Sequence, residues 1–113
     1  MKYSIWLDQW LDNYVRPSVK VRTFDRYSLI VDLHIKEGVG SADMDDLTPL
    51  TLQSLVTELL ARGNRRTGAG LSPGSVNAVI SVLQSSLRAA HILGFTSVNA
   101  AEKLKRPKLA EKP

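Results

Sequence analysis

Asn77, Ser81, Gln84, Ser85 and Arg88 follow one another at i, i+4, i+7, i+8 and i+11, the spacing of a single helix face. Amide, hydroxyl and guanidinium groups set out this way make a hydrogen-bonding surface that contains no carboxylate. An ordinary solvated helix face mixes Glu with Lys, because alternating charge supports both solubility and helicity. Small polar groups without negative charge suit close approach to a phosphate-lined groove. There Asn and Arg reach base edges, while Ser more often contacts phosphate.

That face belongs to a longer anomaly. From Leu59 to Ala101, 43 residues, there is no Asp or Glu. The charges in this stretch are Arg62, Arg65, Arg66 and Arg88, with His91 able to join them. Residues 1–58 carry nine acids and six bases, whereas residues 102–113 carry five bases and two acids. The net charge of +4 is therefore polarised along the chain, which points to a polyanionic partner.

Two further basic sets flank the stretch. Arg16, Lys20, Arg22 and Arg26 run into a helix expected to begin at Thr23. Two readings fit them: a solvated linker with a routine cap, or Lys20 and Arg22 holding phosphates while Thr23 and Arg26 approach a groove. Lys103, Lys105, Arg106 and Lys108 form the other set, a basic tail that continues the charge of the preceding helix, as a segment following a DNA backbone would.

The elements that must position these groups are helices. Tyr3, Trp6, Leu7, Trp10, Leu11 and Tyr14 repeat at helical spacing, with Ser4 a possible cap and Pro17 a stop. The second helix is expected from a Thr23 cap, with Tyr27, Ile30, Val31 and His34 on one face, ending before Gly38. Asp43 to Leu47 reads as a solvated acidic loop. Thr48-Pro49 and Ser72-Pro73 each pair a capping hydroxyl with Pro at the first helical position. The third helix buries Leu52, Leu55, Val56, Leu59 and Leu60 and closes at Gly63. The fourth and longest runs from about Pro73 to Leu93, with Gly94 as terminator. It buries Val76, Val79, Ile80, Leu83, Leu87, Ala90 and Leu93 and offers its N-terminal N–H groups to a phosphate. The alternative reading of this helix is that Ser81, Ser85 and Ser86 simply face water. Asn99 is expected to cap a short turn over 100–104, and residues 105–113 read as a basic linker. The fold class is all-α: a four-helix bundle with a C-terminal helical turn.

Other chemistries are excluded or weak. One domain is expected at this length, burying about 65% of its unfolded surface. With no Cys there is no disulfide or thiolate metal site. Gly63 to Gly70 lacks the Lys-Ser/Thr of a Walker loop and follows a helix. His34 has no second ligand at metal spacing, and Asp43, Asp45 and Asp46 lack the Gly and distal Glu of an EF-hand. No cofactor, membrane span or secretion signal is indicated, so a cytoplasmic, nucleoid-associated setting is expected. The rival reading is a protein–protein interaction domain that docks through Trp6, Trp10 and Tyr14; a basic bundle at an anionic membrane is weaker.

Several short pieces then fall in a recognisable order: Trp10-Leu11, Thr23 with Tyr27, His34-Ile35, Leu47-Thr48, Gly70-Leu71-Ser72 with Ser75-Val76-Asn77, Leu87, Ala90 and Gly94, and Val98-Asn99-Ala100-Ala101 before Arg106-Pro107-Lys108. Together they resemble the core-binding (SAM-like) N-terminal domain of tyrosine recombinases, the phage integrase family. Ala100 departs from the Pro usual in that family, and the loop from Arg65 to Gly70 is expanded. The resemblance implies a core-binding domain over residues 1–104 that grips duplex DNA through its second and fourth helices, with other protomers assembled on paired sites and no small-molecule substrate. The nucleophilic Tyr and its Arg, Lys and His partners would belong to a separate catalytic domain, leaving Tyr3, Tyr14 and Tyr27 as core or interface aromatics. The DNA-binding residues expected here are Lys20, Arg22, Thr23, Arg26, Arg62, Arg65, Arg66, Ser72, Ser75, Asn77, Ser81, Gln84, Ser85, Arg88, Lys105, Arg106 and Lys108.

Overall fold

The computed structural model describes residues 1–64 and 66–107. Four helices carry the fold. Helix α1 runs Tyr3–Trp10 and continues as a π turn, Leu11–Val15. Helix α2 runs Val21–Ile30, passes through a second π turn, Val31–Ile35, and resumes over Lys36–Val39. A 3-10 turn, Met44–Asp46, leads to α3, Pro49–Arg62, and a longer loop leads to α4, Pro73–Ile92. The described residues contain no strand, only an isolated bridge between Lys2 and Asp43.

The two π turns re-index the buried stripes. In α1 the Arg16 N–H bonds the Leu11 carbonyl, five residues back, at 2.8 Å. This inserts one residue into the turn, so Val15 completes the buried face while Tyr14 stays 46% exposed. In α2 the Lys36 N–H reaches the Val31 carbonyl in the same way. Ile35 is fully buried there, and His34 is displaced to the flank.

Helix starts follow local chemistry where the cap is strong. Thr48 and Ser72 accept hydrogen bonds from the Thr51 and Ser75 N–H groups at 3.1 and 3.2 Å. Elsewhere the expectation is corrected. Lys2, not Ser4, precedes α1, and the Ser4 N–H is taken by the Gly40 carbonyl at 2.9 Å. Lys20, not Thr23, precedes α2, which places Thr23 inside the first turn. Helix α2 also runs through Gly38 to Val39. At the end of α4, Gly94 takes φ +83°, and Gly94 and Phe95 donate to the His91 and Ala90 carbonyls at 3.2 and 2.8 Å, closing the helix. Leu93 is left exposed.

The core lies between α1 and α4, with α2 and α3 packed on its flanks. Tyr3, Trp6, Leu7, Val76, Ile80, Leu83 and Leu87 are fully buried there. Ser86 is buried too, not turned to water. Tyr3 Oη lies 2.6 Å from Ser86 Oγ, and Trp6 Nε1 donates to the Ser86 carbonyl at 2.8 Å. Ser86 Oγ in turn donates to the Leu83 carbonyl at 3.2 Å. Burying the Tyr and Trp polar tips demands such partners. Trp10 stacks on Tyr27 with centroids 6.2 Å apart, tying α1 to α2.

The acidic loop is structural. Asp45 Oδ1 accepts from the Ser97 N–H (2.9 Å), Thr96 Oγ1 (2.9 Å) and Ser97 Oγ (3.1 Å), fastening the exit of α4 to the loop before α3. Asn99 Oδ1 is buried without a partner, so Asn99 does not cap through its side chain. The turn after it is held by backbone bonds from Glu102 to Asn99 and from Leu104 to Ala101.

Candidate nucleic-acid interface

The apolar side of α4 fixes which side faces outward. With Val76, Val79, Ile80, Leu83 and Leu87 buried, Ser81, Ser85 and Arg88 are exposed, and Asn77 and Gln84 are half-buried along the same edge. An open groove of about 360 Å³ lies along this edge, lined by Ser81, Gln84, Ser85, Arg88, Ile92 and Arg106 among others. No carboxylate lines it.

Arg106 reaches this face from the C-terminal segment, which folds back across α3 and α4. Its Nη1 donates to the Asn77 carbonyl (3.0 Å) and Asn77 Oδ1 (3.1 Å). Its Nη2 donates to Ser81 Oγ (3.1 Å) and Gln84 Oε1 (3.0 Å). All four acceptors are neutral, so the guanidinium keeps its positive charge uncompensated by them. Two glutamines hold the segment in place. Gln53 of α3 accepts from the Lys105 N–H (2.9 Å) and donates to the Lys105 carbonyl (3.2 Å). Gln84 Nε2 donates to the Ala101 carbonyl at 3.2 Å. Gln53 escaped the sequence reading because nothing in its neighbourhood marks a side chain that pairs with backbone 52 residues away.

The other expected residues are distributed as follows. Ser72 and Ser75 form the N-cap of α4, their hydroxyls 3.0 Å apart, so both are already engaged. Lys20, Arg22 and Arg26 are exposed at the start of α2, with no ion pair among the described residues, and Thr23 is half-buried beside them. Arg16 differs: it pairs with Asp12 at 3.1 Å and lies 4.0 Å over the Phe24 ring. Arg62 is bound by Glu58 through both its Nε (2.8 Å) and Nη2 (3.1 Å). That pairing pushes the Glu58 carboxyl below its ordinary range and cancels much of the Arg62 charge. Arg66 is exposed; Arg65 and Lys108 lie outside the described residues.

The glycine-rich loop after α3 is closed on itself. Asn64 Oδ1 accepts from the Arg66 and Thr67 N–H groups, Thr67 Oγ1 from Ala69, and the Asn64 carbonyl from Gly68. Those N–H groups are spent, so the loop cannot cradle a phosphate through them. Gly70 is required by crowding: a Cβ there would meet the Leu60 carbonyl oxygen at 1.8 Å.

No group is set up for nucleophilic work among the tyrosines. Burial drives the Tyr3 hydroxyl far above its ordinary pKa, against a smaller opposing effect of its hydrogen bond to Ser86. Tyr14 packs on Trp6, and Tyr27 on Trp10. No cluster of three metal-ligating side chains occurs among the described residues, and none of their helices is long and apolar enough to cross a membrane.

Comparisons with known proteins bear on the family and the fold. The family described as "Phage integrase, N-terminal SAM-like domain" matches residues 2–60, from the start of α1 into the last turn of α3. The integrase-like domain from Bacillus cereus is similar at 28% identity, covering 98% of this chain and 87% of that one, with a TM-score of 0.81. The phage integrase SAM-like domain from Moorella thermoacetica is similar at 27% identity, covering 99% and 92%, with a TM-score of 0.74. A lambda integrase dimer bound to a COC' core site shares the fold at 19% identity, with a TM-score of 0.81 over 98% of this chain and 37% of that one. No curated protein matches. The helix order, the bundle and the matched residues together make this chain a member of the phage integrase N-terminal SAM-like domain family.

Proposed function

We propose that this chain is the DNA-binding module of a site-specific tyrosine recombinase, contacting core-site duplex through the start of α2 and the polar face of α4. The observation that carries the reading is the carboxylate-free groove on α4, which gathers Arg88 and two serine hydroxyls. The exposed and unpaired Lys20, Arg22 and Arg26 support a second contact on α2, which packs against α4. The fold shared with the lambda integrase dimer bound to a COC' core site supports the same partner. Cleavage and rejoining fall to a separate catalytic domain in this reading. A subunit-docking role has less behind it, because Trp6 and Trp10 are buried in the core.

Binding is dominated by phosphate neutralisation, so the dissociation constant of the isolated domain for duplex DNA falls in the sequence-independent range, about 10⁻⁴ to 10⁻⁶ M, and rises steeply with salt. Replacing Arg88 by Glu reverses an exposed charge that no described acid pairs with. Arg88→Glu therefore weakens low-salt binding about tenfold or more while the melting temperature stays the same. Fluorescence anisotropy with a short duplex checks this, and equal affinity of variant and parent would sink the α4 placement.

A further inference from the structure

In the closed arrangement, the α4 face is occupied by its own chain. Asn77 Oδ1 and Gln84 Oε1 are both committed to Arg106, and Gln84 Nε2 is committed to Ala101. An amide reads an adenine edge by presenting its oxygen and nitrogen together. Each amide keeps a second lone pair and a spare hydrogen, but the Arg106 guanidinium sits on both oxygens, so neither amide can lay its oxygen and nitrogen together against a base. Reading of a base edge by these two amides therefore requires Arg106 to leave them.

We propose that Lys105 and Arg106, just past the core residues Ala101 and Leu104, form a latch that nucleic acid displaces, with Gln53 as the positioning residue that sets its strength. The proposal rests on the reading that α4 faces DNA. The exchange is chemically matched. Arg106 gives up four neutral acceptors for a phosphodiester anion, and charge-assisted bonds between guanidinium and phosphate are the stronger kind. The Asn77 and Gln84 amide oxygens and the Ser81 hydroxyl are freed in the same step. Gln53 lies on α3, outside the face, and its two bonds to the Lys105 backbone hold the latch without touching Arg106.

The sign of one substitution separates this from the opposite arrangement, in which docked Arg106 is part of the binding surface. Gln53→Ala leaves the net charge and every α4 group intact but removes two latch bonds. At about 0.5–1.5 kcal/mol for each of the two hydrogen bonds, a competing latch predicts that the variant binds a short mixed-sequence duplex about five- to a hundredfold more tightly than the parent. Amide exchange gives an independent readout. The Lys105 N–H is protected in the free chain, and its exchange speeds up as duplex is added. Weaker binding by Gln53→Ala, or Lys105 protection retained at saturating duplex, would overturn the latch while leaving DNA binding standing. No binding by the parent chain at low salt would overturn the DNA reading and the latch with it.

Discussion

The Tyr3 hydroxyl, at the start of α1, and the Ser86 hydroxyl, in the fourth turn of α4, lie 2.6 Å apart with no exposure to solvent. Ser86 Oγ donates onward to the Leu83 carbonyl, so Tyr3 is the donor in the pair. Removing the acceptor leaves a buried phenol unsatisfied, whereas removing the phenol leaves Ser86 still bonded. Ser86→Ala is thus expected to destabilise the fold by about 1–3 kcal/mol, and Tyr3→Phe by less, about 0.5–1.5 kcal/mol. The double variant should lose less than the sum of the two, because the residues share one bond. Urea denaturation of the four proteins checks this; strict additivity would contradict the pairing.

Asp45 makes the acid limb of stability readable. Its carboxylate is held below its ordinary value of 3.8 first by the Ser97 N–H, then by the Thr96 and Ser97 hydroxyls. A carboxyl whose folded pKa is depressed contributes stability that is present above its unfolded value and lost as pH falls through the folded one. Stability is therefore expected to decline below about pH 4 in part through this group. In Asp45→Ala, the exit of α4 is loosened at neutral pH and the acid decline becomes shallower. Thermal melts of parent and variant from neutral to acid pH measure both effects, and parallel curves would remove Asp45 from the account.

Two glycines near α4 should respond in opposite directions. Gly70 abuts the Leu60 carbonyl, a backbone atom that cannot step aside, so Gly70→Ala is expected to cost about 1–3 kcal/mol. Gly74 lies in the first turn of α4 with open space where a Cβ would go. Gly74→Ala is expected to stabilise by about 0.5–1 kcal/mol through a less flexible unfolded chain. Chemical denaturation of the two variants gives the signs directly.

What could be read in advance was local. Thr48-Pro49 and Ser72-Pro73 announce helix starts because a cap and its target N–H lie three residues apart. The all-α class and the outward face of α4 follow from periodicity, since Val76 to Leu87 needs burial. Long-range polar pairing was not legible. Ser86 looked like a surface residue, because only the positions of Tyr3 and Trp6 in three dimensions explain a hydroxyl in an apolar stripe. The same holds for Asp45, Gln53 and the docking of Arg106, each of which binds a segment far along the chain. The pairing of Arg62 is hidden in the charge pattern because the acid-free window begins one residue after its partner, Glu58.

The π turns at Leu11–Val15 and Val31–Ile35 bear on chain length as well as on register. Each holds one residue more than an unbroken α-helix needs to carry the same buried stripe. A relative one residue shorter at either point could keep the identical core on a plain helix, with its surface side chains turned relative to those here. Position-by-position alignment across these two points would then pair residues that occupy different sides of the bundle. These are the places in α1 and α2 where a single deletion is best absorbed.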